Sequence, residues 1–135
     1  MDKQNVSVEE IASAYLAYLR TQDEQFEWVL ADIYGFALDK DWNGLWALVR
    51  IVALWQEDID SKTLCVFAAG PLEDLLDGAG LVYIDRVESF ARECPRFARM
   101  LTGVWPSSID ADVWKRVTTI CRRVPDPFDM PYRFH

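Results

Sequence analysis

The stretch Asp41-Trp42-Asn43-Gly44-Leu45-Trp46-Ala47-Leu48-Val49-Arg50-Ile51-Val52-Ala53-Leu54-Trp55 decides the fold. Trp42, Leu45, Trp46, Val49, Val52 and Ala53 recur at the spacing of one helix face. Leu48, Ile51 and Leu54 widen that stripe until little polar surface remains. A helix apolar nearly all round sits at the centre of a helical core. Asp41 is placed to accept from the free N–H groups of its first turn. Arg50 interrupts the run, which is also too short to cross a bilayer.

On the N-terminal side, Ser7-Val8-Glu9-Glu10 reads as a capping box. Ile11, Ala14, Tyr15, Tyr18 and Leu19 follow at helical spacing, and the chain breaks near residues 21–23. A second helix is expected over 24–38, with Phe26, Val29, Leu30, Ile33 and Ala37 inward. On the C-terminal side, Asp60 or Ser61 opens a helix through Leu64, Cys65, Phe67 and Ala68. Gly70-Pro71 should interrupt it, because proline lacks an N–H and is comfortable only at a helix start. A short helix from Pro71 to about Leu76 would then end at Gly78 and Gly80. Residues 81–93 form a further helix, with Glu88 and Arg92 placed to pair along it. Pro95 opens another, residues 105–108 are a loop, and Asp110 or Ser108 caps the last.

No strand-like alternation lasts more than a few residues. The expectation is an all-α fold, a compact bundle or short solenoid-like stack of about seven to eight short antiparallel helices. Residues 1–124 make one helical domain. Residues 125–135 form an extended Pro-rich tail, packed on the domain or trailing from it, with Phe128, Tyr132 and Phe134 folding back.

At 135 residues the chain is one domain long, and 51% hydrophobic content supports a core without staples. The net charge is −8, and the first 80 residues carry 15 of the 22 acids against 5 of the 14 basic groups. That excludes a phosphate-tracking nucleic-acid binder. It suits either plain solubility or the steering of a cationic partner. Cys65, Cys94 and Cys121 are odd in number and widely spaced, so neither disulfides nor zinc are implied. A polar, acidic start is no signal peptide. The reading is therefore cytoplasmic, with no membrane segment, no metal and no cofactor.

The motifs of nucleotide binding, zinc proteases and serine hydrolases are missing, and the one histidine is His135. Gly70-Pro71-Leu72-Glu73-Asp74 is the most distinctive local segment. Glu73 and Asp74 are either carboxylates available for acid–base work or first-turn acids complementing the helix dipole. Glu73 and Asp77 share a face, and Arg86 follows closely. Arg86, Arg92, Arg96 and Arg99 make the one basic cluster, read either as an anion site or as partners for Glu73, Asp74, Asp85, Glu88 and Glu93. Trp42, Trp46 and Trp114 are assigned to the core. Trp105, in a loop before Pro106, is a candidate partner contact.

The segments Ala68-Ala69-Gly70-Pro71-Leu72-Glu73-Asp74-Leu75-Leu76, Tyr83-Ile84-Asp85-Arg86-Val87-Glu88 and Pro95-Arg96-Phe97-Ala98-Arg99-Met100-Leu101 carry a resemblance. Gly103-Val104-Trp105 and Val113-Trp114-Lys115-Arg116-Val117 extend it. Over about residues 45–117 the chain resembles the bacterial domain-of-unknown-function family 6869. The resemblance implies a small bacterial helical domain and supplies no activity.

The leading functional expectation is a stoichiometric protein-binding domain. Its sharpest form is an immunity protein that neutralises a basic toxin domain through acids near both ends of the central helix: Asp39, Asp41, Glu57, Asp58 and Asp60. A helical adaptor or homodimeric regulator is the alternative. A small enzyme using Glu73 or Asp77 with Arg86 is the third.

Overall fold

A computed structural model describes residues 6–130. Residues 1–5 and 131–135, and with them the expected contacts of Tyr132 and Phe134, lie outside the described residues. Every regular element among the described residues is helical: α1 (Val8–Thr21), a 3-10 turn (Glu24–Phe26), α2 (Val29–Leu38), α3 (Trp42–Ala53), α4 (Ser61–Phe67), α5 (Glu73–Glu93), α6 (Pro95–Leu101) and α7 (Ala111–Cys121). A π turn (Ala68–Leu72) joins α4 to α5, so the seven α segments form six rods.

The caps fall where the side-chain chemistry puts them. The Ser7 hydroxyl accepts from the Glu10 N–H at 3.1 Å. Asp41 accepts from Gly44, Asp60 from Thr63, and Asp110 from Asp112 and Val113. The second helix is split: Asp23 caps the 3-10 turn, and α2 starts only at Val29. Helix α3 is central, touching α1, α2, α5 and α6. It buries Leu45, Leu48, Val49, Val52 and Ala53 completely or nearly so. The fully enclosed centre is built from Phe67, Phe97, Met100 and leucines. Trp42, Trp46 and Trp114 were expected in that centre but pack at its rim, half-buried. Trp46 still packs its ring against those of Tyr83, Phe90 and Phe97.

Gly70-Pro71 does not end a helix, and the short helix expected from Pro71 to Leu76 does not exist as a unit. Pro71 has no N–H to give the carbonyl four residues back, and its ring would strike that carbonyl in an α-helix. The chain widens by one residue instead, and the Glu73 N–H reaches back five residues to the Ala68 carbonyl. Gly78 and Gly80, expected to end a helix, flank a break in helical geometry, although the chain continues past it as a kinked helix. The helix bends at Ala79 (φ −142°, ψ 21°) and runs on to Glu93. Those glycines serve close approach: a Cβ on Gly78 would lie 2.2 Å from the Trp42 ring, and one on Gly80 would lie 3.0 Å from Val113.

Between Asp126 and Met130 the tail is packed on the body. The Arg99 guanidinium sits 4.2 Å over the Phe128 ring, and its Nε donates to the Asp126 carbonyl at 2.9 Å. The Phe128 N–H donates to the Thr102 hydroxyl, and Phe128 and Met130 are buried. All three cysteines are thiols, with Cys94 and Cys121 in the core.

Candidate functional site

The acids expected to form one contact region are divided by α3. Asp39 follows α2 and Asp41 caps the start of α3, whereas Glu57, Asp58 and Asp60 follow its end. Twelve helical residues at about 1.5 Å each separate the two groups by roughly 18 Å. Asp41 is committed to its cap, and Asp39 stands exposed beside it. Only Glu57, Asp58 and Asp60 belong to a single loop.

That 54–60 loop is held by a side chain from another element. Arg96, on the first turn of α6, donates from Nη1 to the Trp55 carbonyl at 2.6 Å and from Nη2 to the Glu57 carbonyl at 3.0 Å. Longer contacts reach the Val52 and Ala53 carbonyls, and the Cys94 thiol also meets Ala53. Helix C-termini leave carbonyls without intrahelical donors. One guanidinium with a fork of N–H groups satisfies several at once.

The pinned loop presents Trp55 between two grooves. One, of about 590 Å³, is floored by Ile51 and Leu54. The other, of about 380 Å³, runs past Leu16, Ile59 and Thr63. Trp55 and Glu57 line both, Arg50 also lines the first, and Arg20, Asp58 and Asp60 also line the second. Leu54 is 55% exposed, a large apolar side chain left to solvent. The Thr63 hydroxyl and N–H hold the Asp60 carboxyl below its usual range, with Arg20 adding a smaller pull. Glu57 and Asp58 make no ion pair among the described residues.

The Gly70-Pro71 segment is a joint. Because α5 continues from the π turn, its first N–H groups are already bonded, and Glu73 and Asp74 do not face a free helix end. Glu73 accepts instead from the Trp105 N–H at 3.0 Å and the Ser107 hydroxyl at 2.9 Å. Asp77 accepts from the Ser108 N–H at 3.1 Å. The two carboxylates one turn apart thus moor the 105–108 loop, in which Ser107 has a positive φ of 35°. The Asp74 side chain makes no hydrogen bond among the described residues. Burial pushes its carboxyl above the usual range, and Glu73 and Asp77 push the same way. Asp77 is raised by burial and Glu73, against the Ser108 bond. Tyr15 is near: a Cβ on Gly70 would meet its hydroxyl at 3.6 Å. Burial above all takes that phenol up to about 12.

Arg86 does not join these carboxylates. Its guanidinium lies 4.8 Å from the centre of the Tyr83 ring, in a separate shallow groove with Trp46 and Phe90. The acid–base arrangement of Glu73, Asp77 and Arg86 is therefore not assembled. Trp105 is 41% exposed on the moored loop and lines neither of the two grooves beside Trp55. The expected pairing of the basic cluster with neighbouring acids is also replaced. Asp85 and Glu88 both bind Arg116 of α7, and Glu88 does not pair with Arg92 along the helix. Arg96 and Arg99 turn to backbone carbonyls. A packed helix brings distant cations closer than local spacing does, and sequence separation carries no signal for that.

Among the described residues, no helix is long and apolar enough to cross a membrane, and no group of three or more His, Cys, Asp or Glu is arranged to hold a metal ion. A family model described as a family of unknown function (DUF6869) matches residues 18–124, so the chain belongs to that family. No curated protein and no solved structure matches the chain.

Proposed function

Taking membership of a family without an assigned activity as the premise, we propose that this domain is a stoichiometric protein-binding module whose contact surface is the 54–60 loop. One observation carries the reading: on a backbone pinned by Arg96, Trp55 stands between two grooves, the second of them lined by three acids against one arginine. Aromatic anchors in partly enclosed sites supply most binding energy, and rim charges set association rate and partner choice. A rigid loop loses little entropy on binding. The partner this surface fits is a basic protein presenting an apolar side chain between lysines or arginines. Neutralisation of a toxin encoded beside this gene is the most specific form of the proposal.

The tagged full chain, used as bait in its native host, should retain a basic protein. Its affinity should fall as salt rises. Glu57→Lys with Asp58→Lys should abolish retention, while Asp39→Lys, at the far end of α3, should not. Retention of the same partner by the loop variant would sink the proposal.

A second reading has its own observation. Helix α2 has one charged residue, Asp32, yet leaves Tyr34 and Leu38 60% and 80% exposed one turn apart. Such a face suits a homodimer. Light scattering on wild type and Leu38→Glu decides it: a dimer lost in the variant favours this reading, and a wild-type monomer at high concentration removes it.

A further inference from the structure

We propose that the groove where the ends of α5 and α7 meet the start of α6 binds a small organic anion, an apolar body carrying one carboxylate or phosphate. The groove encloses about 430 Å³, within the range of small-molecule sites. Its walls are apolar, formed by Ala91, Pro95, Ala98, Ile120, Val124 and Pro125.

Four charged residues also line it: Glu88, Arg92, Arg123 and Asp126. Both carboxylates are engaged elsewhere, Glu88 with Arg116 and Asp126 with Arg99 at 3.4 Å. Among the described residues neither guanidinium makes a side-chain hydrogen bond or a close ion pair, and Arg92 acts on Glu88 only through its charge. Arg116 takes the carboxylate that Arg92 would otherwise hold one turn away. The groove therefore has two exposed arginines among its lining, beside apolar walls, and the guanidinium is the donor that carboxylate and phosphate oxygens match best. It lies in the part of the chain after residue 80, which holds 9 basic against 7 acidic groups. The carbonyl ends of α5 and α7 oppose an anion there, so recognition falls to the two arginines.

The test uses the intact chain with two probes, decanoate and 2-naphthyl phosphate, each beside its neutral alcohol. Amide NMR shifts should move at residues 91, 98 and 119–124 on titration with at least one anion. Preference between the probes tells an aliphatic from an aromatic site. Arg92→Ala and Arg123→Ala should each weaken binding by about tenfold, the loss of one charge-assisted bond. Lys62→Ala removes the same charge from an exposed position on α4 and should leave binding unchanged. Ala98→Phe should fill the groove and block binding. If that variant does not fold, the two exposed arginines carry the test alone. The proposal falls if neither anion binds at millimolar concentration, if the alcohols bind equally, if shifts map elsewhere, or if both arginine variants bind as wild type does.

Discussion

Arg96→Met retains most of the side-chain stem and removes the guanidinium that holds the 54–60 loop. The bond to the Trp55 carbonyl, at 2.6 Å, is partly buried, and the bond to the Glu57 carbonyl is exposed. A hydrogen bond to a charged group contributes about 1.5–3 kcal/mol, and water replaces the exposed one at little cost. The Val52 and Ala53 contacts, at 3.4 and 3.5 Å, are too long to add much. The expected loss is about 2 kcal/mol. Arg96→Lys, a single point donor that reaches one carbonyl, should lose about half of that. With a urea slope of about 2 kcal/mol per molar, Arg96→Met shifts the unfolding midpoint by about 1 M. Hydrogen exchange should quicken first at residues 54–60, while amides inside α3 keep their protection. Under the proposed function, partner affinity falls by more than stability does, because the loop must then be ordered on binding. A midpoint within 0.25 M of wild type, or uniform loss of protection across α3, would refute the assignment of Arg96 as the clamp of this loop.

Two glycines of similar sequence context should respond with opposite sign. Gly35→Ala places a Cβ in open space within α2 and should stabilise by about 0.5–1 kcal/mol, whereas Gly78→Ala drives Trp42 from its seat and should destabilise by about 1 kcal/mol despite better helix propensity. Thermal melts with Trp fluorescence read both effects, and the same sign at the two positions would contradict the packing described. Asp74→Asn should raise stability at neutral pH. The folded carboxyl binds its proton more tightly than the unfolded one, so its ionisation costs stability as pH rises through the raised folded value. The gain should shrink as pH falls below the ordinary carboxylate range, and a gain independent of pH would exclude ionisation as the cause. Asp60 behaves in the opposite sense: its lowered carboxyl contributes above the unfolded value and loses that contribution as pH falls through the folded one, so the Asp60→Asn penalty should be largest near neutrality.

Local chemistry made much of the fold legible. Ser7, Asp41, Asp60, Asp110 and Pro95 mark helix starts because each acts on N–H groups or dihedrals within one turn of itself. The apolar pattern of residues 42–54 placed α3 at the centre for an equally local reason, since so wide a stripe is covered only by several neighbours at once, although Leu54, expected inward, stays 55% exposed. Gly70-Pro71 misleads because a π turn preserves helix continuity where α-geometry would fail, and the helices packed on either side favour one long rod. Gly78 and Gly80 do mark the break at Ala79, but that Gly78 also seats the Trp42 ring, 36 positions earlier in the chain, carries no local signal.

The site divides along the same line. Glu57, Asp58 and Asp60 are readable as acids beyond a helix end, whereas Trp55 is not singled out, because the sequence reading favours Trp105 as the aromatic contact. That Glu57, Asp58 and Asp60 share a loop while Asp39 and Asp41 stand apart follows from the length of α3. By itself, the sequence determined that the chain is helical, where most helices begin, and which helix is innermost, since propensity, capping and periodicity act over a few residues. Only the tertiary structure decided which charge meets which. Arg116 takes Glu88, Arg96 takes the end of α3, and Glu73 takes the loop before α7. A guanidinium or carboxylate reaches whatever acceptor or donor the packed helices bring within about 3 Å, and that neighbour is fixed by the fold and not by the spacing of letters.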